Sequence, residues 1–230
     1  MSRHQGAAPI RSREDFGKAF AVSRETLDRL ETYESLLRTW QRTINLVAPS
    51  TLDETWGRHF ADSAQLLALA PPDARRWLDL GSGAGFPGLV LAVLLAEREE
   101  AKVTLIESDS RKAAFLREVA RKTGVVVDIL CERIEKLPTQ AKVVSRETAE
   151  SGMWDVITAR ALAPLPRLLD LAAPYFSQDT VGLFLKGREA EAEVAAAQSG
   201  WRFSFELHRS LTDKDGQVIL VRALQAKTGG

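Results

Sequence analysis

Beyond Pro72 seven short apolar runs, at 76–80, 103–107, 125–130, 154–158, 181–185, 201–207 and 218–223, are interleaved with helical stretches at 87–96, 110–122, 164–175 and 189–198. Strand and helix taken in turn point to a parallel sheet, because parallel neighbours can be joined only by a long crossover, usually a helix. The last two runs leave no room for one. Only residues 209–217 separate them, with Asp215-Gly216 among these, so they are expected to pair as an antiparallel hairpin. Five parallel strands ending in a hairpin make an α/β fold distinct from the simple two-half dinucleotide sheet. The 230 residues, 45% of them hydrophobic, supply ample material for one such core.

Two helices are expected ahead of the first strand. Leu27, Leu30, Tyr33, Leu36, Leu37 and Trp40 recur at steps of three and four behind a candidate N-cap, Ser23. Thr51 and Glu54 have capping-box spacing and announce a second helix running through Trp56, Phe60 and Leu66 toward Pro71. The chain therefore divides into a mobile tail at 1–22, a helical extension at 23–72 packed on the core, and an α/β domain at 73–230. Residues 141–152 read as a polar insertion.

Composition removes several functional classes. The longest apolar run, 89–96, is far short of the ~18 residues a membrane helix needs, and no apolar signal core follows the N-terminal basic residues. A soluble cytoplasmic protein with no membrane partner is expected. The single cysteine, Cys131, excludes an internal disulfide or a thiolate zinc cluster and is expected as a small buried residue. His4, His59 and His208 are too scattered for a zinc site, so no metal is expected. Lys plus Arg equal Asp plus Glu at 31 each, which argues against indiscriminate polyanion binding. Any nucleic acid must be held by a local patch. Arg111, Lys112, Arg117, Arg121 and Lys122, against the single Glu118, are either such a stripe or a solvated helix face.

The main chemical signal is the turn joining the first strand to its helix, Leu78-Asp79-Leu80-Gly81-Ser82-Gly83-Ala84-Gly85-Phe86-Pro87-Gly88. Four glycines within 81–88 allow the backbone to approach a ligand closely, whereas a turn that binds nothing has little use for them. Residues 83–88 match the dinucleotide pattern G-x-G-x-x-G literally, but Gly81 already occupies the strand end where that pattern should start. Asp79 just ahead of the turn would repel a pyrophosphate and would suit a cationic ligand. S-adenosylmethionine, with a sulfonium, an ammonium and no phosphate, is such a ligand, and Asp79, Gly81, Gly83, Gly85 and Phe86 are its candidate contacts in this segment. Glu107, ending the second strand, can accept both hydroxyls of a ribose, which serves NAD and S-adenosylmethionine alike. After the third strand Ile134 could cover an adenine and Glu135 could fix its edge. Arg160 and Lys186 end neighbouring strands on the carboxyl side, where open α/β sheets bind ligands, and are the candidate catalytic pair.

With these residues in view the chain resembles the bacterial methyltransferases of 16S ribosomal RNA that act on guanine N7, also called glucose-inhibited division protein B. The resemblance rests on residues 78–88, on Thr158-Ala159-Arg160-Ala161 and Leu185-Lys186-Gly187, and on Trp40 to Leu46 and His59-Phe60-Ala61-Asp62-Ser63, and covers about 30–225. It implies a Rossmann-like seven-stranded S-adenosylmethionine-dependent fold and 16S rRNA or the small ribosomal subunit as partner; a monomer is expected. It also implies cofactor contacts at Gly81, Phe86, Ile134, Glu135 and Arg160. Guanine N7 has a free lone pair at neutral pH and needs no general base, which agrees with the lack of an Asn-Pro-Pro-aromatic turn after the fourth strand. Arg160 could hold either the methionine carboxylate or the target base. His59, Asp62 and Ser63 lie within five residues of one helix and cannot form a hydrolase triad; a His59–Asp62 hydrogen bond across one turn is expected instead. A nicotinamide-dependent dehydrogenase and a non-catalytic RNA-binding protein remain the alternatives.

Overall fold

The computed structural model describes residues 9–137 and 154–227, so the segment 141–152 lies outside the described residues. All seven strands form one sheet in the order β3-β2-β1-β4-β5-β7-β6. They are β1 (Arg76–Leu80), β2 (Lys102–Ile106), β3 (Asp128–Leu130), β4 (Val156–Arg160), β5 (Val181–Lys186), β6 (Trp201–Arg209) and β7 (Gln217–Ala226). β1 to β5 are parallel, and β7 inserts antiparallel between β5 and β6. The expected hairpin is thus present.

Alternation along the strands explains their apolar character. Trp77, Val103, Leu105, Leu183 and Leu185 face one core, while Leu78, Leu80, Ile106, Ile157 and Phe184 face another. A central strand buried on both faces is apolar at nearly every position. The first core is covered by α1 (Arg13–Phe20), α2 (Arg24–Trp40), α4 (Gly88–Leu95) and α5 (Ser110–Thr123), and the second by α6 (Leu165–Ala172) and α7 (Ala190–Ala197). Among the described residues no helix is long and apolar enough to cross a membrane.

Ser23 caps α2 through a bond from Thr26 N to its hydroxyl, and Gly124 ends α5 in the left-handed conformation at φ +70°. Two expectations need correction. Within the supposed mobile tail, residues 13–20 form α1, whose Phe16 is fully buried against Phe20 and Trp56 at centroid distances of 4.7 and 5.7 Å. The expected second helix is a broken one: a 3-10 turn (Pro49–Glu54), a π-helical turn (Thr55–Ala61), α3 (Asp62–Ala64) and a further 3-10 turn (Gln65–Ala68). Thr51 does not cap it, because its hydroxyl donates to Ala48 O at 2.8 Å. Thr55 and Ser63 likewise donate to Leu52 O and His59 O, a local competition that bends helices.

Because Phe16 closes the core beneath Trp56, Phe16→Ala is expected to cost about 3–5 kcal/mol in chemical denaturation. A change near zero would return residues 13–20 to the status of a tail.

Candidate functional site

In the strand order the winding reverses at β1, which lies between β2 and β4, and open α/β sheets bind ligands outside such a reversal. A cleft of ≈ 510 Å³ opens there. Its wall includes Gly81, Gly83 and Phe86 from the glycine turn, Glu107 from the end of β2, Ile134 and Glu135 after β3, and Arg160 from β4. Seven of the candidate residues are therefore gathered around one space.

The turn is held from within the protein. Ser82 N donates to Ile106 O at 2.9 Å, Gly85 N and Phe86 N to Ser82 O at 2.7 and 3.1 Å, and Gly83 N to Glu107 Oε2 at 2.7 Å. The other oxygen of Glu107 accepts from Asp109 N at 2.7 Å. A Cβ on Gly83 (φ +57°) would meet only Gly81 O, at 3.9 Å. Gly85 differs: at φ +91° its missing side chain points inward, where a Cβ would overlap the Tyr33 hydroxyl and come within 2.8 Å of Leu89 Cβ. Gly85 is thus a packing glycine outside the cleft wall.

Asp79 also lies behind the wall. It is buried beneath α4, its Oδ1 accepting from Thr158 Oγ1 at 2.7 Å, and burial pushes its carboxyl above the ordinary carboxylate range. It cannot meet a ligand's charge directly. Glu135 pairs with Arg167 at 2.9 Å at the exposed rim. Cys131, expected buried, is exposed, since β3 is a short edge strand and the chain leaves the sheet behind it.

A second cavity of ≈ 790 Å³ adjoins the first and shares Leu46, Arg160, Ala161 and Leu162 with it. Lys186 belongs here, not to the first cleft. Its Nζ donates to Ala163 O and Glu193 Oε2, both at 2.6 Å. Sequence reasoning missed Glu193, Thr212 and the loop residue Leu46, although Leu46 closes the Trp40-to-Leu46 motif.

Arg160 makes the wall between the cavities. Its Nη1 donates to Arg58 O at 3.2 Å and lies 3.6 Å from Asp62 Oδ2; Nη2 is 3.1 Å from His59 Nδ1; the guanidinium sits 4.8 Å above the Phe86 ring. The expected His59–Asp62 bond is absent because both side chains turn to this one cation. Phe86 is itself stacked between Tyr33 and His59, at 5.6 and 4.7 Å, and Tyr33 donates to Ala84 O of the glycine turn. Burial lowers the pKa of His59 to about 3, with Arg160 and Arg58 adding to the shift.

The model of one protein family, rRNA small subunit methyltransferase G, matches residues 26–224. A protein of that name from Parvibaculum lavamentivorans is 48% identical over 100% of this chain and 98% of its own. Another from Rhodospirillum centenum is 50% identical over 95% of this chain and 94% of its own. Among solved structures, a SAM-dependent methyltransferase from Aquifex aeolicus has a TM-score of 0.54 at 16% identity, covering 82% of this chain and 97% of that one, which shows the fold in common.

With a folded pKa of about 3 against 6.5 when unfolded, His59 stabilises the fold fully above pH 6.5, and that contribution is lost as pH falls toward 3. Between pH 7 and pH 5 the wild type is expected to lose about 2 kcal/mol more stability than His59→Asn, at 1.36 kcal/mol per pH unit. Parallel stability curves for the two proteins would contradict a neutral buried ring.

Proposed function

The chain belongs to the rRNA small subunit methyltransferase G family, and on that basis we propose that it transfers a methyl group from S-adenosylmethionine to N7 of a guanine in 16S rRNA. The substrate on this reading is 16S rRNA, free or in the small ribosomal subunit, met in the cytoplasm by a monomeric enzyme.

The engagement of the glycine-turn amides carries the choice of cofactor. A dinucleotide turn offers its N–H groups to pyrophosphate. Here the amides of Ser82, Gly83, Gly85 and Phe86 already donate inside the protein, and one of them donates to a carboxylate. The turn therefore suits a ligand without phosphate, and the nicotinamide alternative loses its main support. Glu107 retains lone pairs for ribose hydroxyls, Ile134 offers an apolar face to adenine, Glu135 stands at the rim for its edge, and the bare face of Gly83 admits the ligand backbone. S-adenosylmethionine supplies the electrophilic methyl carbon when bound.

The acceptor reading assigns the second cavity to the guanine. Attack by N7 leaves no proton to remove, so the enzyme's task is alignment. Arg160 and Lys186 serve this as fixed donors. Lys186 is already held by Ala163 O and Glu193, so it acts as a directed cation, not as a base.

Methyl label from S-adenosylmethionine should enter 16S rRNA at a single guanine whose N7 is modified, as read by borohydride and aniline cleavage; label at a base that resists this cleavage would refute N7. The single-turnover rate should stay nearly flat from about pH 6.5 to 9 at saturating RNA, since no base is titrated. A tenfold rise would indicate an acceptor that must lose a proton. Gly83→Val should abolish S-adenosylhomocysteine binding in calorimetry while costing only about 1–2 kcal/mol of stability from its left-handed backbone. Wild-type affinity in the folded variant would remove the turn from the cofactor site.

A further inference from the structure

We infer that His59 is a positioning residue for methyl transfer that acts through Arg160; the inference rests on the second cavity being the acceptor site. Among the described residues Arg160 is the one charged side chain common to the walls of both cavities. An arginine side chain is long, and ordering it costs up to about 2 kcal/mol of rotamer entropy, so a guanidinium used for alignment must be held by its surroundings. Among the described residues His59 is the one side chain within hydrogen-bond distance of it, at 3.1 Å; Asp62 stands at 3.6 Å, and the 3.2 Å contact with Arg58 is to its backbone carbonyl.

The bond from Arg160 to His59 fixes the ring's tautomer. Guanidinium nitrogens only donate, so Nδ1 must accept and the ring proton sits on Nε2. Nε2 lies 2.9 Å from Thr51 Oγ1, whose own proton goes to Ala48 O. Each atom of this chain has one role. The imidazole is further held by its stack on Phe86, at 4.7 Å and 14°, the same ring that Arg160 covers. His59 and Phe86 thus fix one edge and one face of the guanidinium. Asp62 Oδ1 is engaged elsewhere, accepting from Gln65, Ser210 and Thr212.

The test is a double-mutant cycle read by single-turnover methyl transfer at saturating cofactor and RNA, with thermal melting of every variant. His59→Ala and Arg160→Ala are each expected to slow transfer by about tenfold to a hundredfold, the effect of misplacing an aligning group. The double variant should be no slower than Arg160→Ala, because His59 has nothing to hold once the guanidinium is gone. His59→Asn sets its carbonyl oxygen near the Nδ1 position and should restore the rate to within about threefold of wild type. Losses that multiply in the double variant, or equal losses in the Ala and Asn variants, would overturn the inference. If Arg160→Ala transfers at the wild-type rate, the acceptor-site reading fails; if Arg160→Ala is slow while His59→Ala is not, only the role of His59 fails. Should His59→Ala not fold, His59→Gln against His59→Asn decides the same point: Gln places its oxygen near Nε2, leaves Arg160 without its acceptor, and should be the slow one.

Discussion

The hydrogen bond from Gly83 N to Glu107 is the contact on which the site's shape depends. A glycine turn at positive φ exposes its amides, and buried amides need partners. Glu107 reaches from the end of β2 to the turn after β1, while its other oxygen takes the amide of Asp109 at the head of α5. One carboxylate thus ties two strand ends and a helix start together and sets the width of the cleft between them. The same bond underlies the proposed choice of ligand, since an amide given to a carboxylate cannot receive a phosphate.

The N-terminal helices are part of the site as well as a cover for the sheet. Tyr33 of α2 presses on the turn from below, donating to Ala84 O and occupying the space that a side chain on Gly85 would need. Phe86 carries the contact onward, stacked between Tyr33 and His59 with Arg160 across its face. Packing of this kind transmits position, because aromatic faces held at 4.7 to 5.6 Å leave little freedom to slide. The glycine turn and the second cavity are consequently built on one stack.

What could be read in the sequence was what local chemistry determines. Apolar runs at the period of strands, Gly124 after a helix, Ser23 before one, and ionisable residues at the carboxyl ends of strands all carry their meaning in their own neighbourhood. The places of Glu107 and Arg160 on the cleft wall were legible for that reason. Orientation was not legible. Gly83 and Gly85 look alike in the sequence, yet one faces the cleft and the other faces Tyr33, which only the packing of α2 determines. Asp79 was picked for standing just ahead of the turn, and the pleat of β1 turned it under α4. The stretch 49–68 has helical spacing but breaks into four segments of three different geometries, because buried Thr55, His59 and Ser63 must find partners within it. Residues 13–20 are held by partners distant in sequence: Phe16 packs on Trp56 some forty positions away, and Arg13 pairs with Asp28 and Glu31 of α2.

The cations around the second cavity share a further property. Arg58 is paired with Asp213 at 2.6 Å, Arg160 with Asp62 at 3.6 Å and Lys186 with Glu193 at 2.6 Å. A paired cation contributes little field beyond a few ångströms but keeps its N–H groups in fixed directions. A cavity walled in this way discriminates poorly by charge and well by hydrogen-bond geometry. That suits the edge of a base more than a phosphate, and it accords with a chain whose formal net charge is +0. It also removes a conflict with the proposed cofactor: an unpaired cation beside it would oppose a sulfonium, whereas an arginine already matched by a carboxylate can stand at the wall between the two cavities without that opposition.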